Sequence, residues 1–109
     1  SVAAETSLDS RLIIGSIREA QGLSLILTQE DADRLGLSYD YVAAWISLTV
    51  HSDLAAVGLT AAFATALAAA HMSCNVVAGY YHDHLFVAAA DAEPAMAVLR
   101  QLAASQVEA

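Results

Sequence analysis

In the first half of the chain, the spacing of apolar and polar residues predicts three strands and one short helix. Two apolar, β-branched stretches, 11–18 and 23–28, are joined by "EAQG" and predict a hairpin. The acidic segment 29–37 predicts a short helix that ends at Gly36, because acids favour a helix N-terminus and glycine favours its end. The stretch 39–50, which alternates around the single tryptophan, predicts a long strand in the centre of the sheet.

The second half of the chain predicts a helix, a second hairpin and a final helix. Apolar residues spaced by three or four within 51–72 form one helical stripe, namely Leu59, Phe63, Leu67 and Ala70. "CNVVAGYY" and "HLFVAAA" predict a hairpin around 82–84, in which alternation should turn one of Tyr80 and Tyr81 toward the core. The final helix tolerates Pro94 in its first turn. Its buried stripe is predicted to consist of Ala95, Val98, Leu99 and Leu102.

The two predicted hairpins are similar to each other in sequence. "LIIGSIRE" parallels "VVAGYYHD", so that Gly15 aligns with Gly79 and Glu19 aligns with Asp83. Chance similarity between two apolar strands is the alternative explanation, because such patterns are common. A true internal repeat makes the chain two related units, of which the first lacks its opening strand and helix.

The repeat also predicts the domain organisation. Residues 1–10 are expected to form a flexible N-terminal segment, and residues 11–109 a single domain of the α+β class. Within that domain, residues 11–44 are the partial first unit and residues 45–109 the second unit. A chain of 109 residues is long enough for one modest core.

Composition and charge restrict the partners. Twelve acidic residues against four arginines and no lysine give a formal net charge of −8 at pH 7. Nucleic acids and anionic membrane surfaces are therefore not expected as partners, because no basic stripe is present to neutralise phosphates. The 58% of hydrophobic residues excludes a disordered chain, and no uncharged apolar run reaches the roughly 18 residues of a membrane span. One cysteine, Cys74, and no visible export signal predict a reducing, cytoplasmic compartment.

The stretch 45–99 resembles the ACT domain family, small ligand-binding regulatory modules of βαββαβ order. The resemblance rests on "WISLTV" and "HLFV" as strands, "HSDLAAVGLTAAFATALA" leading into the first helix, and "DAEPAMAVL" as the closing helix. Gly58 matches a family glycine near the start of that first helix, and "SCNVV" around Asn75 matches the start of the second strand. The resemblance implies a ferredoxin-like sandwich, an antiparallel sheet with helices on one face. A fourth strand also belongs to the family, but "SQVEA" is short and polar for that role.

The whole chain is similar to uncharacterised bacterial ACT-like proteins that carry "AVGLTAA" and "SCNVVAGYYHDHLFV". The hairpin also resembles the last ligand-binding ACT unit of the animal cytosolic arginine sensors, in which two aromatic residues and "DH" follow the second strand. By that resemblance Asp83 contacts a bound amino acid, Gly79 and Tyr80 lie beside it, and Asp53 and Gly58 belong to the loop around the ligand's other end. Histidine replaces the second aromatic and alanine replaces an acid, at positions 82 and 56, so the resemblance does not identify arginine as the ligand.

Elementary chemistry supports a zwitterionic ligand at these positions. A helix N-terminus presents free N–H groups to a carboxylate, and Gly58 lets the backbone approach closely. Asp83 can hold an ammonium group through a charge-assisted hydrogen bond. Helix capping alone is the alternative role for Ser52 and Asp53. We predict that the ligand lies between the loop 52–60 and the hairpin 79–83 and contacts Ser52, Asp53, Val57, Gly58, Leu59, Thr60, Asn75, Gly79, Tyr80, His82 and Asp83.

Two other functions fit the sequence. The alanine-rich helix and the strand edges suit an oligomerisation module without a ligand, and a homodimer is expected in either case. A metal site on His51, His82 and His84 is the second alternative, because strand residues two apart share a face. The two later histidines flank a predicted turn, however, and a structural zinc site needs four ligands. We therefore predict no metal and no cofactor.

Catalysis is not expected. Cys74 follows the C-terminus of a predicted helix, where the helix dipole raises the pKa of a thiol. Ser52 is not part of a G-x-S-x-G elbow, and no phosphate-binding glycine loop is present. The sequence thus predicts a non-enzymatic regulatory domain that binds an amino acid or a similar small zwitterion.

Overall fold

The computed structural model describes the backbone of residues 1–48 and 53–108, and the side chains of residues 1–48 and 61–104. The elements of this part of the chain follow the predicted order of hairpin, helix, strand, helix, hairpin and helix. They form two compact units, residues 1–42 and residues 43–109.

The first unit is built on an antiparallel hairpin. Its strands β1 (Gly15–Glu19) and β2 (Gly22–Ile26) pair so that Gly15 lies opposite Ile26. Strand β1 is shorter than predicted, because Ser10–Leu12 form a 3-10 turn instead.

The chain before β1 is held by its own polar contacts. The Asp9 carboxylate accepts from the Arg11 amide at 3.0 Å and pairs with the Arg11 guanidinium at 2.8 Å. These hydrogen bonds hold the pKa of the Asp9 carboxyl below its usual value. Val2 exchanges two backbone hydrogen bonds with Leu23 of β2, at 2.9 and 2.8 Å.

Helix α1 (Gln29–Arg34) has the ends that the sequence predicts. The Thr28 hydroxyl caps it by accepting from the Asp31 amide at 3.1 Å. Gly36 has a φ of 68°, the left-handed conformation that glycine adopts readily at the end of a helix. The predicted end of the helix at Gly36 is therefore confirmed.

The second unit contains a three-stranded antiparallel sheet. Strands β3 (Ala43–Leu48), β4 (Cys74–Ala78) and β5 (Asp83–Ala88) lie in the order β3, β5, β4. The prediction that the tryptophan strand is central is wrong, because β5 lies between the other two. Strand β5 has the continuous buried run expected of a central strand, from Leu85 to Val87, whereas β3 alternates between covered and uncovered residues.

Two long helices cover one face of this sheet. They are α2 (Asp53–Ala69) and α3 (Ala92–Glu108), and the core that they form with the sheet consists of Phe63, Leu67, Met72, Leu85, Val87, Ala95 and Leu99. The predicted stripe of α3 is confirmed, since Val98 and Leu102 also pack against this core. In α2 the prediction is wrong for Ala70, which is exposed beyond the helix end, and the Leu59 side chain lies outside the described residues.

A tight turn connects β4 to β5. The Gly79 amide donates to the His82 carbonyl at 2.8 Å, so that Tyr80 and Tyr81 form the tip. A Cβ atom on Gly79 would lie 2.8 Å from that carbonyl oxygen and 3.0 Å from Nε2 of His84. Glycine is therefore required here by the lack of space.

Truncating Val87 should destabilise the second unit far more than truncating Val77. Val87 is fully buried, and Val77, in the neighbouring strand, is 47% exposed. We expect Val87→Ala to lower the free energy of unfolding by about 2 kcal/mol, since it removes two buried carbon atoms and leaves a cavity. We expect Val77→Ala to cost less than about 1 kcal/mol. Urea unfolding measures both, and equal losses would show that β5 does not lie at the centre of the core.

A methyl group at Gly79 should strain the turn. We expect Gly79→Ala to lower the free energy of unfolding by about 1–3 kcal/mol, because the added carbon overlaps its neighbours. Gly15→Ala is the matched control: its nearest neighbour is a side-chain carbon of Ile26 at 3.4 Å, an ordinary contact. Urea unfolding of both variants tests this prediction, which a harmless Gly79→Ala would contradict.

Candidate functional site

Asp83 lies at one end of the sheet, on the face that the helices cover. It is the first residue of β5 and pairs with Leu48 of β3 and Ala78 of β4. Residues two apart on a strand share a face, so Asp83 is on the same side as the buried Leu85 and Val87. Its side chain is half-buried.

Helix α2 begins close to this end of the sheet along the chain. Leu48 is the last residue of β3, and α2 starts five residues later at Asp53. Five residues span at most about 17 Å, which limits the distance from Leu48 to the helix start. The start of α2 therefore lies within about 17 Å of Leu48, the residue of β3 that pairs with Asp83.

The predicted loop 52–60 is wrong for most of its length. Residues 53–60 form the first two turns of α2, because this alanine-rich segment continues the helix without a break at Gly58. Ser52 and His51 lie outside the described residues. Also outside them are the side chains of Asp53, Val57, Leu59 and Thr60.

The turn residues surround the end of β5 and are highly exposed. Tyr80 is 95% exposed and Tyr81 81% exposed, with their rings in edge contact at 4.9 Å between centroids. The prediction that one of them covers the core is wrong, because neither lies on a strand. Gly79 and His82 close the turn next to Asp83, so the backbones of these three predicted ligand residues lie close together. The His82 ring, however, contacts the ring of His84, on the face opposite Asp83, with 6.4 Å between centroids.

Asn75 is not brought to this group. It pairs with Phe86, three residues earlier in β4 than Ala78, which places it about 10 Å along the strand from the Asp83 row. Alternation also turns its side chain to the uncovered face of the sheet, away from the side occupied by Asp83.

The aligned segments of the two hairpins occupy different elements. Gly15 begins strand β1, whereas Gly79 follows the end of β4 in a turn. Glu19 ends β1, whereas Asp83 begins β5. The residue equivalences Gly15 with Gly79 and Glu19 with Asp83 are therefore wrong, although both segments belong to antiparallel hairpins.

The uncovered face of the sheet carries a polar and aromatic cluster that sequence reasoning missed. The Trp45 indole donates to Nδ1 of His84 at 2.9 Å, and the Ser47 hydroxyl lies 3.2 Å from the same nitrogen. The Trp45 ring also stacks on Phe86, with 6.2 Å between centroids. Alternation places Trp45 and Ser47 on one face, but only the strand register brings residues some 40 positions apart into contact.

Neither a metal centre nor an activated thiol is found among the described residues. No group of three or more histidine, cysteine, aspartate or glutamate side chains in that part of the chain is arranged to hold a metal ion. Nδ1 of His84 already accepts the Trp45 hydrogen bond. Burial raises the pKa of the Cys74 thiol above its usual value, in the direction predicted, although burial rather than the helix dipole is the cause.

None of the helices in the described part of the chain has the length and apolar character needed to span a membrane.

Comparison with known proteins gives matches to protein-family models and to a solved structure. Models of the ACT domain match residues 41–101 and residues 2–44. Among proteins with curated descriptions, none matches this chain.

One similar solved structure is that of a Vibrio cholerae protein of unknown function, described as a possible transport protein. The two chains are 46% identical, the match covers 90% of this chain and 77% of the other, and the TM-score is 0.74. The first ACT match spans more than half of the 109 residues, and the second covers most of the remainder. This chain therefore belongs to the ACT domain family, with a ferredoxin-like α+β fold and two ACT-type segments in tandem.

Proposed function

We propose that this protein is a non-enzymatic regulatory domain that binds an amino acid or a similar small zwitterion. ACT domains are generally small-molecule regulatory modules, and this family membership sets the class of function. The observation that carries the specific proposal is the position of Asp83, on the helix-covered face at the end of the sheet where β3 leads into α2.

Asp83 suits the cationic end of such a ligand. Among the residues of the three strands of the second unit's sheet it is the one aspartate, glutamate, lysine or arginine, and it stands at the end of an otherwise apolar face. A half-buried carboxylate is a stronger partner for an ammonium group than a fully solvated one, because water screens it less.

The start of α2 suits the carboxylate end. The first N–H groups of a 17-residue helix have no partner within the helix and carry the positive end of its dipole. An anion can bind there without a basic side chain, which agrees with a chain that has only four arginines and no lysine. In this proposal Ser52, Asp53, Val57, Gly58, Leu59 and Thr60 form the carboxylate side of the site, and Gly79, Tyr80, His82 and Asp83 form the ammonium side.

A thermal-shift screen of the twenty amino acids tests the proposal. A ligand that binds the folded protein at about ten times its Kd stabilises it by about 1.4 kcal/mol, which raises the Tm by several degrees. We expect at least one amino acid to do so at millimolar concentration. The absence of any shift across the screen would contradict the proposal.

The same screen with Asp83→Asn identifies the residue responsible. We expect this variant to fold and to lose the shift, because the amide carries no charge for the ammonium group. Asp40→Asn makes the same charge change at an exposed position outside the proposed site and should leave the shift intact. Equal affinity of both variants would remove Asp83 from the site.

Assembly into a homodimer is a second function, which the strand edges favour. The outer strands of the second unit's sheet, β3 and β4, are fully described and contain no charged residue and no proline. Natural proteins usually protect exposed edges with lysine, proline or bulges, because a bare edge pairs readily with another strand.

A cytoplasmic location, favoured by the single cysteine, stays a prediction.

Light scattering during size-exclusion chromatography tests the dimer. We expect the measured mass to be that of two chains at micromolar concentration. A lysine in the outer strand that forms the interface should reduce this mass, because a charge opposes strand pairing. Ala43→Lys and Asn75→Lys place the same residue on β3 and β4 respectively. A single-chain mass at every concentration would contradict assembly, without bearing on the ligand.

A further inference from the structure

The Trp45 indole and the His84 imidazole form a hydrogen bond whose direction is fixed by chemistry. The indole N–H can only donate, so Nδ1 of His84 must accept at the observed 2.9 Å. A neutral imidazole has one accepting nitrogen, so Nδ1 carries the lone pair and Nε2 carries the hydrogen. The contact thus defines both the charge and the tautomer of His84.

Protonation of His84 is incompatible with this hydrogen bond. An imidazolium carries a hydrogen on both nitrogens and has no accepting atom left. The Trp45 N–H and the new Nδ1 hydrogen would then face each other across 2.9 Å. The Ser47 hydroxyl, 3.2 Å from Nδ1, can turn to accept that new hydrogen, whereas the indole cannot.

The surroundings of His84 let a proton reach it. A Cβ atom on Gly79 would lie 3.0 Å from Nε2, so glycine at this position places no side chain against that nitrogen. From the strands on either side, Ser47 and Val77 lie directly opposite, and neither is titratable. His82, with 6.4 Å between ring centroids, is the titratable side chain in ring contact, and Asp83 points to the other face.

We propose that His84 holds Trp45 in place only while its imidazole is neutral, and we call this pH-dependent contact the latch. In its neutral form it holds the indole over Phe86, and on protonation it transfers its Nδ1 contact to Ser47 and releases the indole. Trp45 is 50% exposed, so its ring can leave without breaking the core, and the buried Phe86 then loses its stacking partner. Acidification thereby uncovers apolar surface on the side of the sheet opposite the proposed ligand site.

Nuclear magnetic resonance of the full chain tests the latch directly. Trp45 is the single tryptophan, so its indole N–H gives one signal that needs no assignment by mutation. We titrate ¹⁵N-labelled protein from about pH 8 to about pH 5, the range in which histidines gain a proton. We expect the indole proton signal to move upfield and to exchange faster with water, in step with the ¹⁵N shift of the His84 ring.

Two glutamine variants identify the histidine that operates the latch. His84→Gln keeps an acceptor but cannot titrate, so the indole signal should stop responding to pH. His82→Gln removes the neighbouring titratable ring and should leave the response in place. Dispersed amide signals at both ends of the titration confirm that each protein stays folded.

Three results would overturn the latch. The first is an indole signal that does not move while the His84 ring gains its proton. The second is a response that persists in His84→Gln or disappears in His82→Gln. The third is a neutral His84 ring with its hydrogen on Nδ1, which the ¹⁵N shifts of the unmodified protein reveal even if both variants fail to fold.

Discussion

The alternation of side chains along β5 is the constraint on which the second unit depends. Leu85 and Val87 point to the helices and form the centre of the core, so Asp83 must lie on the same side and His84 and Phe86 on the other. One strand therefore sets the position of the core, the carboxylate proposed for ligand binding, and the imidazole that holds Trp45. No other element of the described structure contributes to all three.

The order of the elements could be predicted from the sequence because each depends on local patterning. Gly36 ends a helix, Pro94 lies in a first turn, and Ala95 and Leu99 recur at helical spacing, so the sequence neighbours of these residues contain the information. The position of a strand within a sheet is not local in this sense. The alternating stretch around Trp45 predicts a central strand, but the strand that contains Leu85 to Val87 takes that place.

The candidate site was predictable to the same limited extent. Gly79, His82 and Asp83 are close in sequence and remain close in the fold, because a tight turn holds them. Asn75 was grouped with them through the family resemblance, but the strand register puts it on the other face. The contact of Trp45 with His84 joins two strands that are separated by a whole helix and a third strand, and no local pattern encodes that pairing.

The narrow turn at Gly79 has a consequence for the chemistry of the two faces. A hairpin whose pairing slips by one residue exchanges every inward side chain for an outward one. Such a slip would put the imidazole of His84 beneath the helices and the carboxylate of Asp83 on the aromatic side, and Trp45 would lose its acceptor. The lack of a side chain at Gly79 allows the close turn that joins the strands in this register, with Asp83 on one face and His84 on the other.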